Sequence, residues 1–217
     1  MIQFPFFNAL SKKVILVLSA HCDDAAIGCG GLLLRLLEYK NTNNIRLVSI
    51  VFSGGNNEKR TEEEKNASKD FGLEVNNIFS FTDTRLPDVW YEIKNILFDI
   101  GNMLGFDNIG MVVCPNIQDL HQDHRTIAEN VWRVFRNHFI VEYEIQKYEG
   151  GLIQPNFYVK LTEDQAIKKA KLIMKNYPSR SCHHWFNIET FLSLMRIRGL
   201  EANTKFAEGF TVRKIIV

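Results

Sequence analysis

The chain has 217 residues, 46% of them hydrophobic, and its 26 lysines and arginines nearly balance 25 aspartates and glutamates. That composition supplies a substantial core, and a formal net charge of +1 gives no field that would hold nucleic acid or an anionic membrane. No apolar run approaches the roughly 18 to 20 residues that span a bilayer, and the start MIQFPFFNALSKK lacks the charge order and A-x-A-like site of a signal peptide, so a soluble, cytoplasmic protein is expected.

Short β-branched runs alternate with stretches of helical period, the pattern of βαβ units around a largely parallel sheet. A first strand is predicted over 14–19, followed by S-A-H-C-D-D-A-A-I-G-C-G-G and a helix over 27–39 with leucines at 32, 33, 36 and 37. A strand over 45–52, a charged helix over 58–71, a strand over 77–81 and a helix over 90–104 come next. A fourth strand over 109–114 leads to a helix from about 124 to 137, with Ile127, Val131, Val134 and Phe135 on its buried side. Past Tyr148 the pattern loosens: EGGLIQPN is a break, 164–176 and 188–195 read as helical, and 211–217 as a final strand. Neither a repeat nor a linker divides the chain, so 1–217 is expected to form one domain, a Rossmann-like α/β fold whose open, mostly parallel sheet carries helices on both faces. Cys22, Cys29, Cys114 and Cys182 show no C-x-x-C spacing, and reduced thiols are expected.

The ionisable groups collect after the strands. His21, Asp23 and Asp24 follow the first, 53–57 the second, 83–88 the third and 115–124 the fourth. In an open parallel sheet this edge holds ligands where the strand order reverses. His21 and Asp24 are three apart and share one side of a helical turn, whereas Asp23 points elsewhere. NIQDLHQDHRT repeats the spacing with His121 and His124 around Asp123. Two imidazoles and a carboxylate suit zinc and leave a coordination position for water, as catalytic sites do. The same set describes a non-haem iron triad, although the βα alternation argues against the folds that usually carry one. Asp23 or Asp24 could instead cap the next helix. GCGG at 28–31 is no dinucleotide fingerprint, because the third glycine would fall at Leu33 and the acidic pair would repel a pyrophosphate. Close packing of the first helix explains those glycines better.

HCDDAAIGCGG together with DLHQDH resembles the PIG-L/LmbE-like family of metal-dependent N-deacetylases, whose signatures are H-P-D-D-E and H-x-D-H. RTEEEKNASKDFG is similar to the family's R-x-x-E helix, NYPSR to its Y-x-S-Q segment, and RG at 198–199 with FAEGF at 206–210 to its C-terminal elements. The resemblance implies that His21, Asp24 and His124 bind the metal, zinc first, with Fe2+ or another divalent ion as alternatives. It implies Asp23 as general base and His121 as the polarising and proton-donating imidazole, oriented by Asp123. Cys22 and Ala25 stand where the family has proline and glutamate, and neither is a ligand position in the pattern.

The activity implied is removal of an N-acetyl group from an amino sugar or sugar conjugate such as a sugar nucleotide, glycolipid or glycoside. A non-catalytic sugar- or metabolite-binding homologue is the alternative from another class, and an iron oxygenase the less favoured enzyme. Arg60, Asp83, Arg85 and Glu208 are the candidate substrate-binding residues, with Trp185 and Phe186 as a surface for a sugar ring and His183 and His184 at the rim. The partner expected is a small-molecule amino sugar, with a homo-oligomer left open.

Overall fold

The computed structural model describes residues 9–150 and 152–215, apart from the side chains at 41 and 42. Strand β1 (Val14–His21) is buried along its whole length, as a central parallel strand covered on both faces must be. It pairs in parallel with β2 (Arg46–Ser53) and β4 (Ile109–Pro115). β3 (Glu74–Phe81) extends the sheet beyond β2, and β5 (Ile140–Tyr143) extends it beyond β4, again in parallel. β7 (Phe206–Thr211) runs antiparallel between β5 and β6 (Phe157–Leu161), so the order is β3-β2-β1-β4-β5-β7-β6.

Alternate side chains of β1 enter two cores. Ile15 and Val17 pack with α1 (Asp24–Asn43), α2 (Glu58–Phe71), α5 (Glu163–Asn176) and α6 (Ile188–Glu201). Leu16, Leu18 and Ala20 pack with α3 (Trp90–Leu104) and α4 (Gln122–Val134) on the other face. The fold is therefore the α/β arrangement expected, with helices on both faces of a mostly parallel sheet. Its strand order reverses between β1 and β4, which opens a crevice at their C-terminal ends. Among the described residues no helix is long and apolar enough to cross a membrane.

Local chemistry sets several boundaries. The Asn57 side chain accepts from Arg60 N–H and starts α2, and Gly72, at φ 76°, ends it. Thr162 and Gln165 close a reciprocal capping box on α5. The helices read over 58–71 and 90–104 coincide with α2 and α3. The last strand does not: it is Phe206–Thr211 rather than 211–217, residues 212–215 are irregular, and 216–217 lie outside the described residues. The error has a physical cause. F-A-E-G-F-T carries a carboxylate and a glycine in mid-strand, both signals against strand, and only the tertiary structure compensates them.

That compensation occurs at a break in α1. Cys29 leaves helical geometry (φ −137°, ψ 16°), and the amides just beyond it need acceptors. Glu208 supplies them, taking Gly31 N–H and Leu32 N–H at 2.7 Å each. Lys169 donates to Ile27 O at 2.6 Å and to Glu208 at 2.7 Å, closing the network with both side chains buried. A Cβ on Gly28 would overlap the Tyr143 ring, and one on Gly31 would meet the Glu208 carboxylate at 2.8 Å. The glycines thus do permit close packing, and they also admit the ion pair. Removing one partner of a buried pair typically costs about 3–5 kcal/mol. Lys169→Met should lower the unfolding free energy by about that much in urea titrations, and a loss under about 1 kcal/mol would show that the break is held by other contacts.

Candidate active site

His21 ends β1 and Asp24 begins α1, so the strand-to-helix turn presents both to the crevice. His124 enters from the first turn of α4, after the β4 loop. All three are buried, and their ligand atoms lie within 4.8 Å of one another. Asp24 Oδ2 accepts His21 N–H at 2.7 Å and stands 3.4 Å from both His21 Nδ1 and His124 Nε2. Two ligands about 2.0–2.1 Å from a tetrahedral zinc are about 3.3–3.4 Å apart, so these atoms are spaced as a shared cation requires.

The opposite ring nitrogens are each backed by a carboxylate. His21 Nε2 lies 3.0 Å from Asp123 Oδ2 and 2.9 Å from Asp83 Oδ1, and His124 Nδ1 lies 2.8 Å from Asp119 Oδ2. Metal-binding histidines characteristically hand their second nitrogen to such a partner, which fixes ring and tautomer. His124 Nε2 is buried without a hydrogen bond, an orphan that a cation would satisfy. Burial pushes both imidazoles down, yet the Asp24 charge outweighs it and holds His21 well above and His124 above the usual histidine range. The donor set fits a divalent ion.

Asp23 occupies the N-cap position of α1 but makes no capping bond to the helix, which removes the capping explanation for it. Its backbone is left-handed, at φ 99°, a costly conformation for a residue with a Cβ. The surroundings enforce it: Asp23 N–H donates to Glu64 at 3.0 Å, and Arg60 donates to the neighbouring Cys22 carbonyl. The fully buried carboxylate accepts from Lys147, Arg60 and Arg180, each at 2.9 Å. Burial pushes the Asp23 carboxyl up, but the three cations, Lys147 foremost, hold it below the usual carboxylate range. It is thus a heavily paired carboxylate.

His121, half-buried, stacks against His124 with ring centroids 4.7 Å apart. Its Nδ1 accepts Asp123 N–H at 3.2 Å, which leaves Nε2 to carry the proton. Burial, together with the neighbouring His124 and His21, pushes the imidazole down, so near neutrality His121 is an uncharged donor rather than an imidazolium. Its orientation comes from the Asp123 backbone. The Asp123 carboxylate is engaged elsewhere, by His21 and by the Thr84 and Leu86 amides at 2.7 and 3.1 Å, and so ties the β3 loop to the β4 loop.

The four substrate candidates separate. Arg60 reaches the site, and Asp83 touches His21 from the β3 loop; the hydrogen bond from His21 lowers the Asp83 carboxyl to about 2. Arg85 instead forms an exposed pair with Asp88 at 2.7 Å, and Glu208 is consumed in the α1 break. Cys22 is buried with Sγ 3.7 Å from Ser53 O, and burial with the Glu64 charge pushes its thiol far up, so it packs as a small apolar residue. Tyr148 and His183 share a 3.1 Å contact at the rim beside the buried Trp185.

Sequence reasoning missed Asp119, Glu64, Lys147 and Arg180. Asp119 lies two residues before His121, and its Oδ1 also accepts His121 N–H at 2.8 Å; its place in D-L-H-Q-D-H was the available signal. Arg180 stood in NYPSR, which docks on the α2 segment through Ser179 to Glu63 and Tyr177 to Glu64 at 2.6 and 2.7 Å. Lys147 follows β5, a strand too short to foresee, and had no signal.

Burial pushes the Glu64 carboxyl from 4.5 up to about 7. Between those values the unfolded chain has released this proton and the folded protein retains it, so the group's contribution to stability is lost as pH rises. At about 1.4 kcal/mol per unit, the loss reaches about 3 kcal/mol by pH 7. Glu64→Gln should therefore gain about that much on the parent protein between pH 4.5 and 7 in denaturant titrations. Parallel pH profiles would contradict the shift.

Residues 16–135, from β1 through α4, match the family model described as PIG-L, GlcNAc-PI de-N-acetylase. An uncharacterised deacetylase of Escherichia coli, YaiS, is 32% identical over 129 residues, covering 56% of this chain and 68% of that protein. Among solved structures, the conserved protein TT1542 of Thermus thermophilus superposes with a TM-score of 0.72 at 20% identity, over 94% of this chain and 95% of that one. N,N'-diacetylchitobiose deacetylase of Pyrococcus horikoshii superposes with a TM-score of 0.66 at 19% identity, over 93% and 84%; at these identities the likeness speaks for the fold alone. The family match spans both histidine motifs and more than half of the sequence, and with it the chain belongs to the PIG-L family of de-N-acetylases.

Proposed function

We propose that this chain is a zinc-dependent N-deacetylase that hydrolyses the acetamide of an amino sugar or sugar conjugate. The observation that carries the proposal is the pair of carboxylate-backed imidazoles spaced 3.4 Å from one oxygen of Asp24. Family membership supports the reaction, and the substrate class agrees with the acetylated sugar named for the Pyrococcus enzyme.

In this mechanism His21, Asp24 and His124 hold the ion. When bound, a zinc ion supplies Lewis acidity and lowers a water's pKa to roughly 7. Asp23, next along the turn from Asp24, takes the proton from the attacking water. His121 Nε2–H donates to the carbonyl oxygen as negative charge develops there. A carboxylate surrounded by cations is a weak base but a strong acid once protonated, so Asp23 readily returns that proton to the departing amine nitrogen. Arg60 holds the strained turn through Cys22 O and Asp23. The same triple pairing of Asp23 is what favours the second reading, a sugar-binding homologue without turnover.

Zinc-loaded protein incubated with N-acetylated sugars should release free amine, and stripping the ion with a chelator should abolish it. Asp23→Asn should reduce release by about 100-fold or more, the usual range for a lost general base; undiminished release would reject the assignment, and sugar binding without amine would support the homologue. Asp119→Asn should weaken zinc binding about 10- to 100-fold in competition with a chromophoric chelator. Unchanged affinity would mean that Asp119 does not orient His124.

A further inference from the structure

Charge is segregated across the site. Asp83, Asp119 and Asp123 stand on the side of the β3 and β4 loops, behind the two imidazoles. Arg60, Lys147 and Arg180 stand on the side of α2 and the 177–187 segment, around Asp23. These three cations are not equivalent. Arg60 is built into the frame, donating to Glu63, Ser179 and Cys22 O as well as to Asp23.

Arg180 meets Asp23 through Nε alone, at 2.9 Å. Its two terminal amino groups, on a side chain 28% exposed, have no partner among the described residues. Lys147 bridges Asp23 and Asp24 at 2.9 and 3.2 Å, meeting Asp24 at Oδ1, the oxygen that the two imidazoles do not share. Lys147 also lies 5.6 Å from the centre of the Trp185 ring, whose indole N–H is buried without an acceptor. An unsatisfied donor, an unfilled guanidinium fork and an ammonium therefore border one flank of the reacting centre. A planar fork with two free amino groups matches carboxylate or phosphate oxygens.

We propose that Arg180 and Lys147 form an anion-binding subsite beside the acetamide, so that the substrate is an N-acetylated sugar bearing a phosphate or carboxylate group. The proposal rests on the deacetylase reading for the acetamide and on these two side chains for the anion.

The test compares zinc-loaded parent protein with Arg180→Gln and with Lys147→Gln, each checked for fold by circular dichroism. N-acetylglucosamine is set against its 6-phosphate, its 1-phosphate and N-acetylmuramic acid, so that the phosphate and carboxylate sources are separated. At least one anionic sugar should exceed the neutral one in kcat/KM by about 10-fold or more, and either variant should reduce that ratio about 10- to 100-fold, as expected for a charged hydrogen bond. Equal turnover of neutral and anionic sugars, or a ratio indifferent to both variants, overturns the subsite. Should no sugar release amine, the deacetylase reading fails by itself. Calorimetric titration with glucosamine 6-phosphate then decides the subsite: binding lost in Arg180→Gln upholds it, and absence of binding to the parent protein overturns it.

Discussion

The carboxylate of Asp24 has no solvent exposure, and the rest of the site is arranged to make that burial tolerable. An ionised carboxylate withdrawn from water costs several kcal/mol unless countercharges and donors surround it. His21, His124 and Lys147 do so from the end of β1, the start of α4 and the loop after β5. These segments are distant in sequence and meet because parallel strands on either side of the reversal deliver their C-terminal ends to one crevice. Burial pushes the Asp24 carboxyl up, and Lys147, His124 and His21 outweigh it and hold it well below the usual range.

Further from Asp24, carboxylates take over the orienting of the histidines. Asp119 and Asp123 each bond one ring and also accept backbone amides, so each fixes a loop and a side chain at once. Asp23 is the exception in sign, a carboxylate among cations on a strained backbone. Its conformation persists because the Glu64 acceptor and the Arg60 donor fix the turn from outside, as over-determination of a strained residue requires. For the proposed role of Asp23 as a base, the cations that hold it ionised oppose its taking a proton.

Glu208 shows how the same chemistry can serve architecture. Like Asp23 it is a buried acid paired with a cation, but its oxygens accept the amides of the broken α1 ladder. Residue type and burial therefore do not separate the two roles; the identity of the donors does. Glu208 is held by backbone amides inside a helix, whereas Asp23 is held by the side chains of Lys147, Arg60 and Arg180.

By itself the sequence determined the βα alternation, the extents of α2 and α3, and the two histidine motifs, because these depend on periodicity and short spacing. It also placed His21, Asp24, Asp123 and His124 on one edge of the sheet, since topology alone carries strand ends there. The tertiary structure decided which carboxylate lies behind which imidazole, that Arg85 faces outward while Lys147 and Arg180 face Asp23, and that a strand could run through Glu208 and Gly209. The pairings of His21 with Asp123, of Asp23 with Lys147 and Arg180, and of Glu208 with the α1 amides join residues about 100 or more apart in the chain. No local pattern encodes a partner at that separation, and β5, at four residues, is too short to advertise the loop that carries Lys147.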